Sequence, residues 1–200
     1  MIFFTSDSHF NDKVVVKREN RPFKDTKDCD SEIIKIWNKQ AKKGDIIYFL
    51  GDFVSYGENY KDIYKEGIKN IKKIKAEVIL VIGNNEERLI KGEFKNNFEE
   101  FKNYCLNLGF KDVKTEEFLE IKVKKFYLNH YPANFKNGYI SLYEHLHKLG
   151  GIYNKYGINV SCDLNCFRLY SIDDIFSLLS MKKDLEKYAP ELLQYNVNND

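Results

Sequence analysis

The 200-residue sequence predicts a layered α/β domain. Two observations carry that assignment. In the first half, short β-branched and aromatic runs ending in chemically loaded loops alternate with amphipathic stretches of helical period; from residue 117 onward the pattern changes to closely spaced strands, as a second sheet packed on the first requires. A hydrophobic fraction of 43%, with 15% aromatic residues, supplies one core, so a single domain over 1–200 is expected, fraying at about 195–200 where the tail is polar.

The first strands are Ile2–Thr5 and residues 46–50 and 78–82. Each delivers polar residues at its carboxyl end, respectively Asp7, Gly51-Asp52 and Gly83-Asn84, and open α/β sheets place their sites at such ends. Between them, Ser31 or Asp30 caps a helix running to about residue 43, with Ile33, Ile34, Ile36 and Trp37 on or near one face and Gly44 as terminator. A second helix fits 60–74. A third fits 94–108, where Phe94, Phe98, Phe101, Cys105 and Leu108 recur at helical spacing and Gly109 closes it; these stripes read as core. Strands follow at 118–123, at 126–129 after a Lys124-Lys125 turn, at 140–143 and at 158–162. Ser171 caps a last helix, with Asp174 beside its amino end and Ile175, Leu178 and Leu179 along it.

Charge narrows the partners. With 32 basic against 30 acidic residues, the net +2 exerts no strong pull toward nucleic acid or membrane. No apolar run approaches the roughly 20 residues that span a bilayer, and the opening Met1-Ile2-Phe3-Phe4-Thr5 is too short for a secretory h-region. A cytoplasmic protein is expected. Cys29, Cys105, Cys162 and Cys166 lack paired zinc-knuckle spacing and read as small hydrophobes in a reducing compartment.

All four histidines fall in short cassettes: Asp7-Ser8-His9, Asn129-His130-Tyr131-Pro132 and His145-Leu146-His147, alongside Gly51-Asp52 and Gly83-Asn84-Asn85-Glu86. Taken singly, each has a plain reading. Asp7 can cap a turn, Asp52 can sit in a Gly-Asp turn, and Asn84 can be a left-handed residue after Gly83. Taken together, carboxylate, imidazole and amide oxygen are the donors that hold first-row divalent metals, and no histidine is left for other duty.

In this order the cassettes resemble the calcineurin-like metallophosphoesterase superfamily, whose signature runs Asp-x-His, Gly-Asp, Gly-Asn-His-Asp or Glu, His, then Gly-His-x-His. The resemblance spans residues 2 to about 165. Asn20-Arg21-Pro22-Phe23, Trp37-Asn38, Tyr48-Phe49-Leu50-Gly51-Asp52 and His130-Tyr131-Pro132 bring it nearest to small bacterial and phage-type members. It implies a four-layer αββα sandwich, two mixed β-sheets facing each other with helices outside. It also implies Asp7, His9 and His147 on a first metal, Asn84, His130 and His145 on a second, and Asp52 bridging both. Manganese is the first choice for the two divalent ions, with iron, zinc or nickel also suited. The implied activity is hydrolysis of phosphate esters by a metal-bridging hydroxide that attacks phosphorus in line.

Two departures shape the expected substrate. Asn85 stands where the family has a histidine that contacts the phosphoryl group and protonates the leaving oxygen; asparagine has no titrating proton but its amide can still donate to a phosphoryl oxygen. Phosphodiesters or activated esters are therefore expected over alkyl monoesters. Glu144 replaces the first glycine of Gly-His-x-His, as an exposed residue or as a partner orienting His145 or His147. Arg21 and Arg88 are the candidate phosphate contacts, arginine being suited to bidentate oxyanion recognition. The alternatives are a phosphomonoesterase acting on nucleotides or phosphoproteins, and a metal-containing binding module with little catalysis.

Overall fold

Residues 1–57, 62–148, 151–190 and 193 are described by a computed structural model. Strands β1 (Ile2–Thr5), β2 (Ile46–Leu50), β3 (Glu77–Val81) and β4 (Asp112–Lys114) lie parallel, and β9 (Tyr170–Ser171) pairs antiparallel with the free edge of β1. Because successive strand side chains point to opposite faces, Phe3, Ile47, Phe49, Val78 and Leu80 enter a core beneath the helices. Phe4, Tyr48, Leu50, Ile79 and Val81 enter one shared with the second sheet. Burial on both faces is why these strands read as continuous apolar runs.

The second sheet has the order β5 (Glu117–Ile121), β6 (Lys124–Leu128), β7 (Ile140–Tyr143), β8 (Gly157–Asn159) and is also mixed, β5 running against β6 and the rest parallel. Phe126, Leu128, Leu142 and Ile158 give it a fully buried face in the shared core. The chain is thus mixed α/β with two mixed sheets flanked by helices.

Helix boundaries depart from expectation where capping overrides hydrophobic period. α1 (Lys13–Arg18) follows Asp12, and α2 (Thr26–Gln40) starts earlier than residues 30–31 because Asp25 accepts from the Asp28 amide at 2.9 Å and Cys29 sinks into the core. It stops at Gln40 because Ala41 turns extended. The expected helix over 60–74 is α3 (Ile63–Gly67) continuing as a 3-10 segment, Ile68–Lys73; its first two positions lie outside the described residues. The helix expected over 94–108 is α5 (Phe98–Leu108), which starts four residues later, and an unexpected helix, α4 (Asn84–Glu93), precedes it. Between them Lys95 and Asn96 are left-handed, and Asn97 caps the Glu100 amide at 3.1 Å. α4 buries only Leu89 and Ile90 of its apolar residues, too few for a periodic signal.

The β5–β6 turn also moves. It falls at Lys122 and Val123, with φ of 48° and 61°, two residues before the expected Lys124-Lys125. Consecutive left-handed residues match the strand twist in a two-residue hairpin, but Lys-Val lacks the Asn-Gly chemistry that advertises such a turn. β8 is shorter than 158–162, since the chain leaves the second sheet after Asn159 and Ser161 bridges to Ser6 beside β1. A 3-10 turn, Cys162–Leu164, follows. Finally, α6 (Ile172–Tyr188) has the expected Ser171–Asp174 reciprocal cap and flanks the shared core through buried Ile175 and through Phe176, whose ring lies 6.1 Å from Phe126. No helix among the described residues is long and apolar enough to cross a membrane. The tail expected to fray lies outside the described residues.

Candidate metal centre

The loops that follow β1 and β2 carry Asp7 with His9, and Asp52, and Asn84 opens α4 just after β3; the loops following β6 and β7 carry His130, and His145 with His147. Two glycines let these ends converge. A Cβ on Gly51, whose φ is 88°, would stand 2.6 Å from the Gly83 backbone and from the His130 ring, and one on Gly83 would stand 2.5 Å from Asp52 Oδ1. The Gly-Asp and Gly-Asn pairs are therefore packing requirements of the site. Asp7, His9, Asp52, His145 and His147 all take left-handed φ, between 45° and 97°. Non-glycine residues held there cost roughly 1–3 kcal/mol each and cluster at functional sites.

Two sets of donor atoms meet at Asp52. On one side His9 Nε2 lies 3.4 Å from Asp7 Oδ1 and 3.6 Å from Asp52 Oδ2, and His147 Nε2 lies 3.5 Å from Asp7 Oδ1. On the other, His130 Nε2 lies 3.8 Å from Asp52 Oδ1, 3.0 Å from Asn84 Oδ1 and 3.2 Å from His145 Nδ1, which is itself 2.9 Å from Asn84 Oδ1. With metal–donor bonds of about 2.0–2.2 Å, neighbouring donors in a four- or six-coordinate shell are separated by roughly 3.0–3.5 Å. Asp7, His9 and His147 can hold one cation, and Asp7, Asp52 and His130 form a second grouping with the same capacity. A third grouping, Glu19, His147 and Asp163, reuses His147, and its carboxylates are paired with Arg18 and Arg21.

Hydrogen bonds on the far side of three imidazoles fix their tautomers. His130 Nδ1 donates to Leu50 O at 2.8 Å. His147 Nδ1 donates to Asp163 Oδ2 at 2.8 Å. His9 Nδ1 donates at 2.8 Å to Ser55 Oγ, whose own hydrogen goes to Asp12 Oδ2. Each inner Nε2 is therefore a lone pair; those of His9 and His130 face carboxylate and amide oxygens that also only accept, and that of His147 faces Asp7 Oδ1 while accepting from Arg18 Nη2 at 3.1 Å. Acceptors crowded against acceptors repel unless a cation stands between them, and fixed outer partners are the usual device for orienting metal-binding histidines. Asp7 Oδ2 adds a buried carboxylate oxygen with no partner among the described residues.

The acid–base properties have the same origin. Burial, then the neighbouring Glu144, hold the Asp7 carboxyl well above the ordinary range. Burial pushes Asp52 up to about 7 even though Asn85 donates to it, and burial together with Asp52 pushes Glu86 up to about 7. Burial and then His147 lower His9. Acids and imidazoles withdrawn from water and crowded by like groups resist charging, and a multivalent cation inverts that preference.

The expected residues do not all converge. Arg21 is not a substrate contact: its side chain is fully buried. Nε and Nη2 each donate to Asp163 at 2.9 Å, and Nη1 and Nη2 donate at 2.7 Å to the carbonyls of Ser8 and Asp7. Arg21 thus braces the first ligand loop and, through Asp163, His147. Arg88 is exposed and lines a cleft of about 590 Å³ over the cassettes. Asn85 also lines it, but its Nδ2 donates to Asp52 Oδ2 and its Oδ1 accepts from the Tyr56 amide at 3.0 Å, so the expected phosphoryl contact is not the bond its amide makes.

Glu144 is completely buried. Its two oxygens accept from the backbone amides of His145 and His147, and the left-handed geometry expected of the replaced glycine falls on those two residues instead. Glu144→Ala should leave both amides unpaired, costing about 2–4 kcal/mol and weakening metal binding roughly tenfold or more. Unchanged metal affinity by calorimetry would remove this role.

Asp163, Ser55, Asp12 and the bracing role of Glu86 carry no signal in the sequence. Glu86 accepts from the amides of Gly83, Asp52 and Phe53 at 2.8–2.9 Å, tying the second and third cassettes together.

A family model described as calcineurin-like phosphoesterase matches residues 1–186. An uncharacterized protein of Methanocaldococcus jannaschii is 31% identical over 86 residues, 43% of this chain and 47% of that protein, so the match spans about half that relative's length. Among solved structures, a protein of unknown function from Aquifex aeolicus superposes with a TM-score of 0.61 at 23% identity, over 89% of this chain and 98% of its own. A structure described as a novel archaeal phosphodiesterase gives 0.50 at 16% identity, over 87% and 94%. At these identities both structural likenesses concern the fold.

Proposed function

The chain belongs to the calcineurin-like phosphoesterase family, and from that premise we propose that it is a phosphoric ester hydrolase working with two divalent metal ions and favouring phosphodiesters. The observation that supports this reading is the convergence of two donor sets on the two oxygens of Asp52. Asp7, His9 and His147 form the first set, Asn84, His130 and His145 the second, with Asp52 bridging. Such mixed donors suit manganese first, and iron, zinc or nickel as well. When bound, a pair of divalent ions supplies Lewis-acid charge toward phosphoryl oxygens and lowers the pKa of coordinated water.

The chain's own contribution is preorganisation. Arg21 and Asp163 hold His147, Ser55 and Asp12 hold His9, and Leu50 O holds His130, so the imidazoles need no reorientation during reaction. Ser55, the serine hydroxyl facing the cleft, is occupied by His9 and Asp12, leaving attack on phosphorus to water. Asn85 steadies Asp52 and offers no titrating proton to a leaving group. General acid catalysis contributes about 10²- to 10⁴-fold, so its absence falls hardest on alkyl monoesters and least on diesters with good leaving groups.

Manganese-loaded protein should hydrolyse bis(p-nitrophenyl) phosphate faster than glycerol phosphate, lose turnover with chelator and regain it with manganese. Faster hydrolysis of glycerol phosphate would contradict the diester preference. Asn85→His should raise the monoester-to-diester rate ratio by about tenfold or more, an outcome read from kcat/KM on both substrates.

A further inference from the structure

One face of α1 is turned to the cleft. Val16 is buried in the core, whereas Val14 and Arg18, four residues apart and so on one helical face, line the cleft together with the buried Val15 and with Arg88 and Leu146. Val14 is 46% exposed. Arg18 reaches inward, its Nη2 standing 3.1 Å from His147 Nε2 while its Nε donates to Glu19 Oε1 at 2.6 Å.

The helix is anchored at both ends by the bonds that orient the imidazoles. Asp12 accepts from the amides of Val14 and Val15 and from Ser55, the hydroxyl that holds His9. Beyond its carboxyl end, the Arg21 amide donates to Val16 O at 3.0 Å, and the Arg21 guanidinium is locked to Asp163, the partner of His147. Arg18 is thereby held in register with His9 and His147. Arg88 approaches from α4, whereas the Asn85 amide is spent on Asp52, so among the described residues lining the cleft the guanidinium groups of Arg18 and Arg88 are the strongest donors for an oxyanion.

Resting on the phosphoesterase reading above, we propose that α1 is the substrate-recognition element: Arg18 grips a non-bridging phosphoryl oxygen, and Val14, with Leu146, supports a flat apolar ester substituent. The substrate class is a phosphodiester bearing at least one aryl-like group. Inorganic phosphate and diphenyl phosphate are the probes, titrated calorimetrically into manganese-loaded protein, with kcat and KM on bis(p-nitrophenyl) phosphate in parallel.

Arg18→Ala should weaken both probes roughly 10- to 100-fold, as loss of a charge-assisted contact does, and raise KM, with manganese content unchanged; Arg18→Lys should recover part of the affinity. Val14→Ser should weaken diphenyl phosphate several-fold and leave inorganic phosphate unaltered. Parent-like phosphate affinity in Arg18→Ala, or loss of its manganese, would overturn the Arg18 contact. Equal effects of Val14→Ser on both probes, or none, would overturn the apolar support. If the parent turned over no ester yet bound phosphate through Arg18, the hydrolase reading would fail while recognition by α1 stood; a parent that bound neither probe would sink the recognition itself.

Discussion

Asp52→Asn is expected to lower turnover of bis(p-nitrophenyl) phosphate by about 10³-fold or more, the scale of several kcal/mol supplied by metal-assisted charge stabilisation. The fold should survive. Asparagine tolerates the left-handed φ of 57° at this position, and its side-chain oxygen can still accept from the Asn85 amide, now 2.9 Å from Asp52 Oδ1. Burial already raises the Asp52 carboxyl to about 7, so removing its charge should leave metal-free protein as stable as the parent or more so. What should vanish is the response to metal: by linkage the parent's Tm rises with manganese concentration, and the variant's should rise far less. Identical manganese-induced shifts would show that Asp52 is no ligand.

Asp163→Ala should have the larger effect on the fold. Arg21 and Asp163 are both wholly buried and joined by two 2.9 Å bonds, and removing the carboxylate strands a guanidinium away from water. Breaking one partner from such a pair costs about 3–5 kcal/mol, or roughly 6–20 °C in Tm for a chain of this size. His147 also loses the acceptor at Nδ1, so affinity at the first metal position should fall about 10- to 100-fold. The acid limb gives a separate signature. Burial alone would raise the Asp163 carboxyl, but hydrogen bonds from His147 and Arg21 outweigh it and hold the group at about 2. A depressed carboxylate stabilises the fold fully above its unfolded pKa of about 3.9 and ceases to as pH falls toward the folded value. The parent should thus lose about 2 kcal/mol between roughly pH 4 and 2, and Asp163→Asn should lack that loss. Coincident acid profiles would contradict the pairing.

Arg21 shows where sequence reasoning reaches its limit. Its residue type points to an oxyanion, and the guanidinium fork fits a carboxylate as well as a phosphate. Its partner, Asp163, is 142 residues away in a 3-10 turn that exists because the chain crosses from the second sheet to the first after β8. No local pattern encodes that crossing. The cassettes themselves are legible because the glycines, carboxylates and imidazoles are dictated locally, by close backbone approach at Gly51 and Gly83 and by donor chemistry at the strand ends. β1, β2 and β3 are legible for a related reason, since burial on both faces leaves continuous apolar runs. α4 and the Lys122-Val123 turn are not, because one buries too few apolar residues and the other adopts left-handed geometry without glycine or asparagine.

The central claim, two cations bridged by Asp52, is tested most directly by anomalous diffraction from manganese-loaded crystals together with the metal content of the same protein. Two ions per chain are expected about 3.5–4 Å apart, one beside Asp7, His9 and His147, the other beside Asn84, His130 and His145, with Asp52 between them. A single ion, or an ion held instead by Glu19, His147 and Asp163, would contradict the account.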